Sequence, residues 1–172
     1  MTHLETIWME YDQIRKELLL EIAISKEALN KNDSQGLRRS YCRSVMCFIE
    51  AISSWMCKYT IEMNYPGVLG DSEKKKLEIT NNAIEKLYHA LDFYADLNGA
   101  ISPFLRGSEE WSVLKNAIII RNRITHPKMS SDIWISDRDM KCMHNAFHIM
   151  EVFVSEVFNR STQALKKRHD EI

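Results

Sequence analysis

Glycine and proline are scarce, at five and three among 172 residues. An all-β chain needs a turn every roughly ten residues, so this scarcity excludes an all-β fold. The four cysteines, Cys42, Cys47, Cys57 and Cys142, include no C-x-x-C pair and no zinc-like spacing with histidine. They read as reduced, mostly buried thiols rather than a disulfide framework or a metal centre, and no cofactor is expected. No apolar run approaches the roughly 20 residues that cross a bilayer. The opening "MTHLETIWMEYD" carries acids early and lacks a basic, then apolar, then small-residue leader. A cytoplasmic chain with no membrane partner is the expectation. Excess charge is also absent: the net value is -1, so any anion-binding site must be local.

What is present points to helices. Apolar residues make up 45% and charged residues 27%, the balance of a globular domain. The length suits one domain spanning 1–172, with no repeat, low-complexity tract or linker. Leu4, Ile7, Trp8, Tyr11, Ile14, Leu18, Ile22 and Ala28 recur at three- and four-residue steps and predict a helix over about 3–31. After "NKNDSQG", with Asp33 or Ser34 as N-cap, Tyr41, Val45, Phe48, Ile52, Trp55, Met56 and Tyr59 share one face of a second helix, about 34–64. Pro66, Gly67 and Gly70 break it. Leu77, Ile84, Leu87, Leu91, Tyr94 and Leu97 mark a third helical region, about 72–98, with an interruption near Thr80–Asn82. Ser108 caps a fourth helix, about 108–126, which stops at His126 because Pro127 disfavours α geometry in the residue before it. Ser136 and Asp139 form a capping box for a fifth, about 137–168, with Met140, Met143, Phe147, Met150, Val154 and Phe158 inward. The fold class is all-α, a single-domain up-and-down bundle of about five helices.

The unusual stretch is "AIIIRNRITHPK", 117–128. On a wheel at about 100° per residue, Arg121 falls near the centre of the apolar arc of Trp111, Val113, Leu114, Ala117, Ile118, Ile120 and Ile124. Arg123 falls on the opposite side, where a solvated charge is expected. A guanidinium among apolar neighbours needs a carboxylate, carbonyls, water or an anionic ligand. One reading is a structural ion pair with Glu50, Asp92 or an acid of the first helix. The other is a cleft or subunit interface that grips phosphate. His126 adds an imidazole at the helix end, suited to proton transfer near neutral pH. Arg121, Arg123, His126 and Lys128 together equally suit a stabilising C-cap cluster.

At Arg121-Asn122-Arg123-Ile124-Thr125-His126 the chain resembles the HEPN superfamily (higher eukaryotes and prokaryotes nucleotide-binding domains), whose ribonuclease members carry Arg-polar-x3-His at the end of a late helix. The surrounding "RRSYCRSVMCFIEAISSWM", "SEKKKLEIT", "EEW" and "DIWISDRDM" extend the resemblance over most of the chain, loosely outside 108–140. The resemblance implies a metal-independent endoribonuclease that works as a homodimer and leaves 2′,3′-cyclic phosphate ends. It gives Arg121 the scissile phosphate, His126 the proton transfers and Asn122 the orienting of His126 or the phosphate, with Arg123 and Lys128 as further RNA or phosphate contacts. It also implies a toxin or phage-defence role and an antitoxin or regulatory partner. Lys128 departs from the tyrosine that nucleotidyltransferase-regulated HEPN toxins carry two residues after the histidine. Many HEPN domains are non-catalytic modules that bind nucleotide, RNA or protein, and that is the alternative reading.

Other candidates have plainer readings. His144, His148 and Glu151 suit a solvated helix edge better than a metal site. Lys74-Lys75-Lys76 suits a solvated first turn or a contact with RNA phosphates; Arg38, Arg39 and Arg43 suit a basic track, while Arg39 and Arg43 with Glu50 also suit an exposed salt-bridged face. Trp8, Trp55 and Trp111 fall at core spacing. Trp134, in the loop after the motif, either covers a cleft or staples that loop to the bundle.

Overall fold

The computed structural model describes residues 3–62, 70–72, 75, 83–97 and 102–170. They form α1 (His3–Lys31), α2 (Gln35–Glu62), α3 (Ala83–Leu97), α4 (Glu109–Thr125), a short 3-10 turn (Ser130–Ile133) and α5 (Asp137–Asp170). No strand occurs among the described residues, so the all-α expectation holds. The expected interruption at Thr80–Asn82, together with Leu77, Lys74 and Lys76, lies outside the described residues, and Lys75 is exposed.

Helix α2 is the centre of the bundle. Twelve of its residues are buried, from Tyr41 and Cys42 to Tyr59 and Thr60, because α1, α3, α4 and α5 all pack on it. Its start is capped as read: Ser34 Oγ accepts from the Leu37 N–H at 3.4 Å. Asp33 is not the cap; it accepts from Arg38 Nε at 2.6 Å. Helix α1 lies antiparallel along α2, with Tyr11 stacked on Trp55 at 4.0 Å near one end and Ser25 bonded to Ser44 at 3.3 Å towards the other. Trp55 also meets Tyr94 edge-on at 5.4 Å, which ties α3 into the same aromatic cluster.

The apolar faces hold with one exception in α1. Tyr11 and Ile22 are buried, but Ile14 is 47% exposed, contrary to its place in the predicted stripe. Because α1 rests chiefly on α2, only a narrow band of it is covered. Leu4, Ile7, Trp8 and Phe158 have side chains outside the described set. The thiols are free, with Cys42 and Cys57 buried, Cys142 half-buried and Cys47 exposed, so "mostly buried" fails at Cys47. Burial pushes the Cys42 thiol up to about 12 and Cys57 to about 11, which leaves both as packing groups.

Helices α4 and α5 run antiparallel beside α2. Trp111 and Leu114 start the buried side of α4, and Ala117, Ile118, Ile120 and Ile124 continue it. On α5, Met143, Ala146, Met150, Phe153, Val154 and Val157 are buried, and Phe147 meets Phe48 of α2 edge-on at 5.4 Å. Phe48→Ala should cost about 3–5 kcal/mol in urea unfolding, the range for a buried phenylalanine. Ile14→Ala should stay within about 0.5 kcal/mol, as a surface change does. A loss at Ile14 matching that at Phe48 would contradict this picture of the core.

Candidate functional site

The end of α4 is built by opposing local signals. Ser108 Oγ accepts from the Trp111 N–H at 3.0 Å, so the helix starts where its capping hydroxyl dictates. It ends at His126, whose backbone has φ -126 and ψ 61 and whose N–H still bonds the Asn122 carbonyl at 2.9 Å. Pro127 then redirects the chain. The Asp132 carboxylate accepts from the backbone N–H groups of Lys128 at 2.8 Å and Met129 at 3.1 Å, closing the turn.

Arg121 stands in the apolar arc, as the wheel places it, between buried Ile118, Ile120 and Ile124. Its guanidinium is not buried, however: the side chain is 32% exposed. The long apolar stem spans the covered zone and carries the charge to the surface. There its terminal nitrogens meet Glu50 of α2 at 3.0 Å and Asn122 Oδ1 at 3.0 Å. Of the acids considered for an ion pair, Glu50 is the partner. The Asn122 side chain thus meets the guanidinium. The His126 imidazole is exposed and makes no hydrogen bond or ion pair with any described residue. Arg121 and His126 are five residues apart, about 140° around a regular helix, and their side chains form no hydrogen bond with each other. Lys128 is exposed as well.

Arg123 differs from its expected role as a solvated charge. It donates to Asp139 Oδ2 at 2.9 Å and to the Trp134 carbonyl at 3.1 Å, and its side chain is only 33% exposed. The helical position was read correctly, but α5 starts beside it and supplies a carboxylate. Asp139 also accepts from the Ser136 N–H at 2.9 Å and the Ser136 hydroxyl at 2.8 Å, while its own N–H donates to Ser136 Oγ at 3.2 Å. The capping box is therefore joined to the motif helix. Its signal was Ser136-x-x-Asp139; its link to Arg123 left no local trace in the sequence.

Arg38 and Arg39 likewise serve the loop instead of forming a free basic track. The carbonyl of Ile133 accepts from Arg39 at 3.1 Å, and that of Ile135 from Arg38 at 3.1 Å and Gln35 at 3.0 Å. Arg38 is further paired with Asp33 and Asp137. Glu50 is paired with Arg121 rather than with the arginines of its own helix. His144 and His148 are exposed on α5, and Tyr41 Oη lies 3.3 Å from His144 Nδ1. Burial, then the nearby charges of Lys26 and His148, lower the His144 pKa. No group of three or more potential metal ligands converges among the described residues.

A groove of about 280 Å³ runs beside the motif between α4 and α5, lined by Asn116, Ile119, Ile120, Arg123, Arg138, Asp139 and Cys142. No helix among the described residues is long and apolar enough to cross a membrane. Comparison with protein-family models, curated proteins and solved structures finds no match to the chain.

Burial pushes the Asp139 carboxyl up, but hydrogen bonds from Arg123 and Ser136 and the guanidinium charge outweigh it, so the pKa sits below the ordinary 3.8. Held low in the folded chain, this carboxyl adds stability above that ordinary value, and the stability is lost as pH falls through the lower folded value. Asp139→Asn should therefore lower stability at neutral pH and flatten the loss seen on acidification below about pH 4, read by thermal melting across pH. An acid limb as steep as wild type would mean that other carboxylates carry it.

Proposed function

We propose that this chain is a HEPN-type, metal-independent endoribonuclease whose Arg121, Asn122 and His126 form half of a composite site completed by a second copy. The observation that carries the reading is the Arg121–Asn122 pair at 3.0 Å with an exposed, unpartnered His126 one turn on. The resemblance in the motif and the accessibility of these groups support it together.

The chemistry needs little from one protomer. An imidazole takes the proton of a ribose 2′-hydroxyl, and the 2′-oxygen attacks the adjacent phosphorus. The bond to the 5′-oxygen breaks, and that oxygen leaves with a proton from a second imidazole. The products are a 2′,3′-cyclic phosphate and a 5′-hydroxyl, and no water is consumed. A planar guanidinium suits the phosphate oxygens on which charge builds, because it can donate two parallel hydrogen bonds. A second copy would bring the other imidazole and enclose side chains that are open to solvent in the single chain.

Glu50 does not obstruct this reading. It is 47% exposed, and exposed ion pairs contribute about 0–1 kcal/mol, so the phosphodiester of an RNA strand can replace it on Arg121. The same contact favours one alternative, a non-catalytic HEPN-like module that binds nucleotide, RNA or protein, in which Arg121 stays paired with Glu50. A toxin or phage-defence role, and an antitoxin or regulatory partner, accompany the nuclease reading.

Incubation with mixed RNAs in excess EDTA separates the two. Wild type should cleave, and Arg121→Ala and His126→Ala should each lose at least about a hundredfold in rate, the scale of a lost charge-stabilising or acid-base group. RNA left intact by wild type, or cleavage indifferent to both substitutions, contradicts the proposal.

A further inference from the structure

We propose that Trp134 is a stacking platform for one unpaired nucleobase of an RNA strand, displayed eight residues after His126 by a rigidly held loop. The choice of ligand rests on the ribonuclease reading above. The geometry comes from the loop itself. Trp134 is 62% exposed, yet the backbone around it is fixed on every side. Its N–H donates to the Ser131 carbonyl at 3.1 Å and its carbonyl accepts from Arg123 at 3.1 Å. The carbonyls before and after it are held by Arg39 and by Arg38 with Gln35. The next residue, Ile135, is fully buried and donates its N–H to Gln35 Oε1 at 2.8 Å.

A loop pinned by four side chains of two helices could have turned its largest apolar group inward; it turns Ile135 inward and leaves the indole in water. Trp134 is also tied to the motif, since Arg123 grips its carbonyl from three residues before His126. On one side the indole borders an open hollow of about 440 Å³ that it shares with Gln35, Ser136, Arg38, Asp33 and Asp137. Arg38 pairs with both acids there and offsets one of their two charges, so the hollow offers hydrogen-bond acceptors to a base edge but no free cation to a phosphate. A cation lies elsewhere on the same loop: Lys128, six residues before Trp134, has no carboxylate partner among the described residues. That division, flat apolar face with polar edge on one hand and unpaired charge on the other, fits a base and its backbone. The exposed apolar side chains of this one turn, Met129, Ile133 and Trp134, are few against the roughly 800 Å² per partner of a standard protein interface. A nucleobase fits that scale better than a second copy does.

The test uses full-length His126→Ala protein, so that binding is read without cleavage, and a labelled single-stranded RNA of roughly ten nucleotides in fluorescence anisotropy. Binding is expected, with Trp134→Ala weakening it about tenfold, Trp134→Phe retaining most of it, and a blunt duplex of the same sequence binding less well. No binding by the parent, equal affinity after Trp134→Ala, or a Trp134→Ala change that splits a dimer while RNA affinity is unchanged would overturn the proposal. Trp134-dependent binding by a wild-type chain that cleaves no RNA would keep the stacking site and remove the nuclease. Cleavage that requires His126, with binding indifferent to Trp134, would do the reverse.

Discussion

Pro127 ends α4, and the backbone between it and α5 has no α-helical ladder to satisfy its N–H and C=O groups. That need organises this end of the molecule. Asp132 takes the N–H groups of Lys128 and Met129, and side chains from α2 and α4 take the carbonyls of Ile133, Trp134 and Ile135. Arg123 matters most among them, because it joins the last turn of α4 both to the loop and to the capping box of α5. The position of His126 relative to the bundle depends on this set of contacts.

Two arginines two residues apart consequently do different work. Arg123 is held between α4 and α5 and sets geometry, whereas Arg121 reaches the surface on the side of α2 and keeps its charge within reach of solvent. Within the proposed function, Arg121 is the group that meets phosphate and Arg123 belongs to the frame around it. Asn122 links the two requirements, with its side chain on Arg121 and its carbonyl on the His126 N–H.

Much of the fold was legible because helix periodicity and caps are local. Ser108, Ser136 and the His126–Pro127 stop each act within four residues of their partners, and the structure places all three as read. Arg121 was placed correctly on its wheel, but a wheel locates a Cα and not the end of a long side chain, so burial of the guanidinium was overstated. The Arg123–Asp139 pair and the clasp of Arg39 on Ile133 were missed because their partners lie 16 and 94 residues away. Ile14 failed for a related reason: periodicity marks a face that could be covered, not how many neighbours arrive to cover it.

On the proposed function, the imidazole and guanidinium at the end of α4 move the phosphoryl group from the 5′-oxygen to the neighbouring ribose 2′-oxygen within RNA, without water as the nucleophile. Mass analysis of the fragments formed by wild-type protein tests it most directly. A 2′,3′-cyclic phosphate on one fragment and a 5′-hydroxyl on the other is the result expected. A 3′-hydroxyl facing a 5′-phosphate would contradict it, because those ends require water to attack phosphorus and leave no part for the neighbouring ribose oxygen.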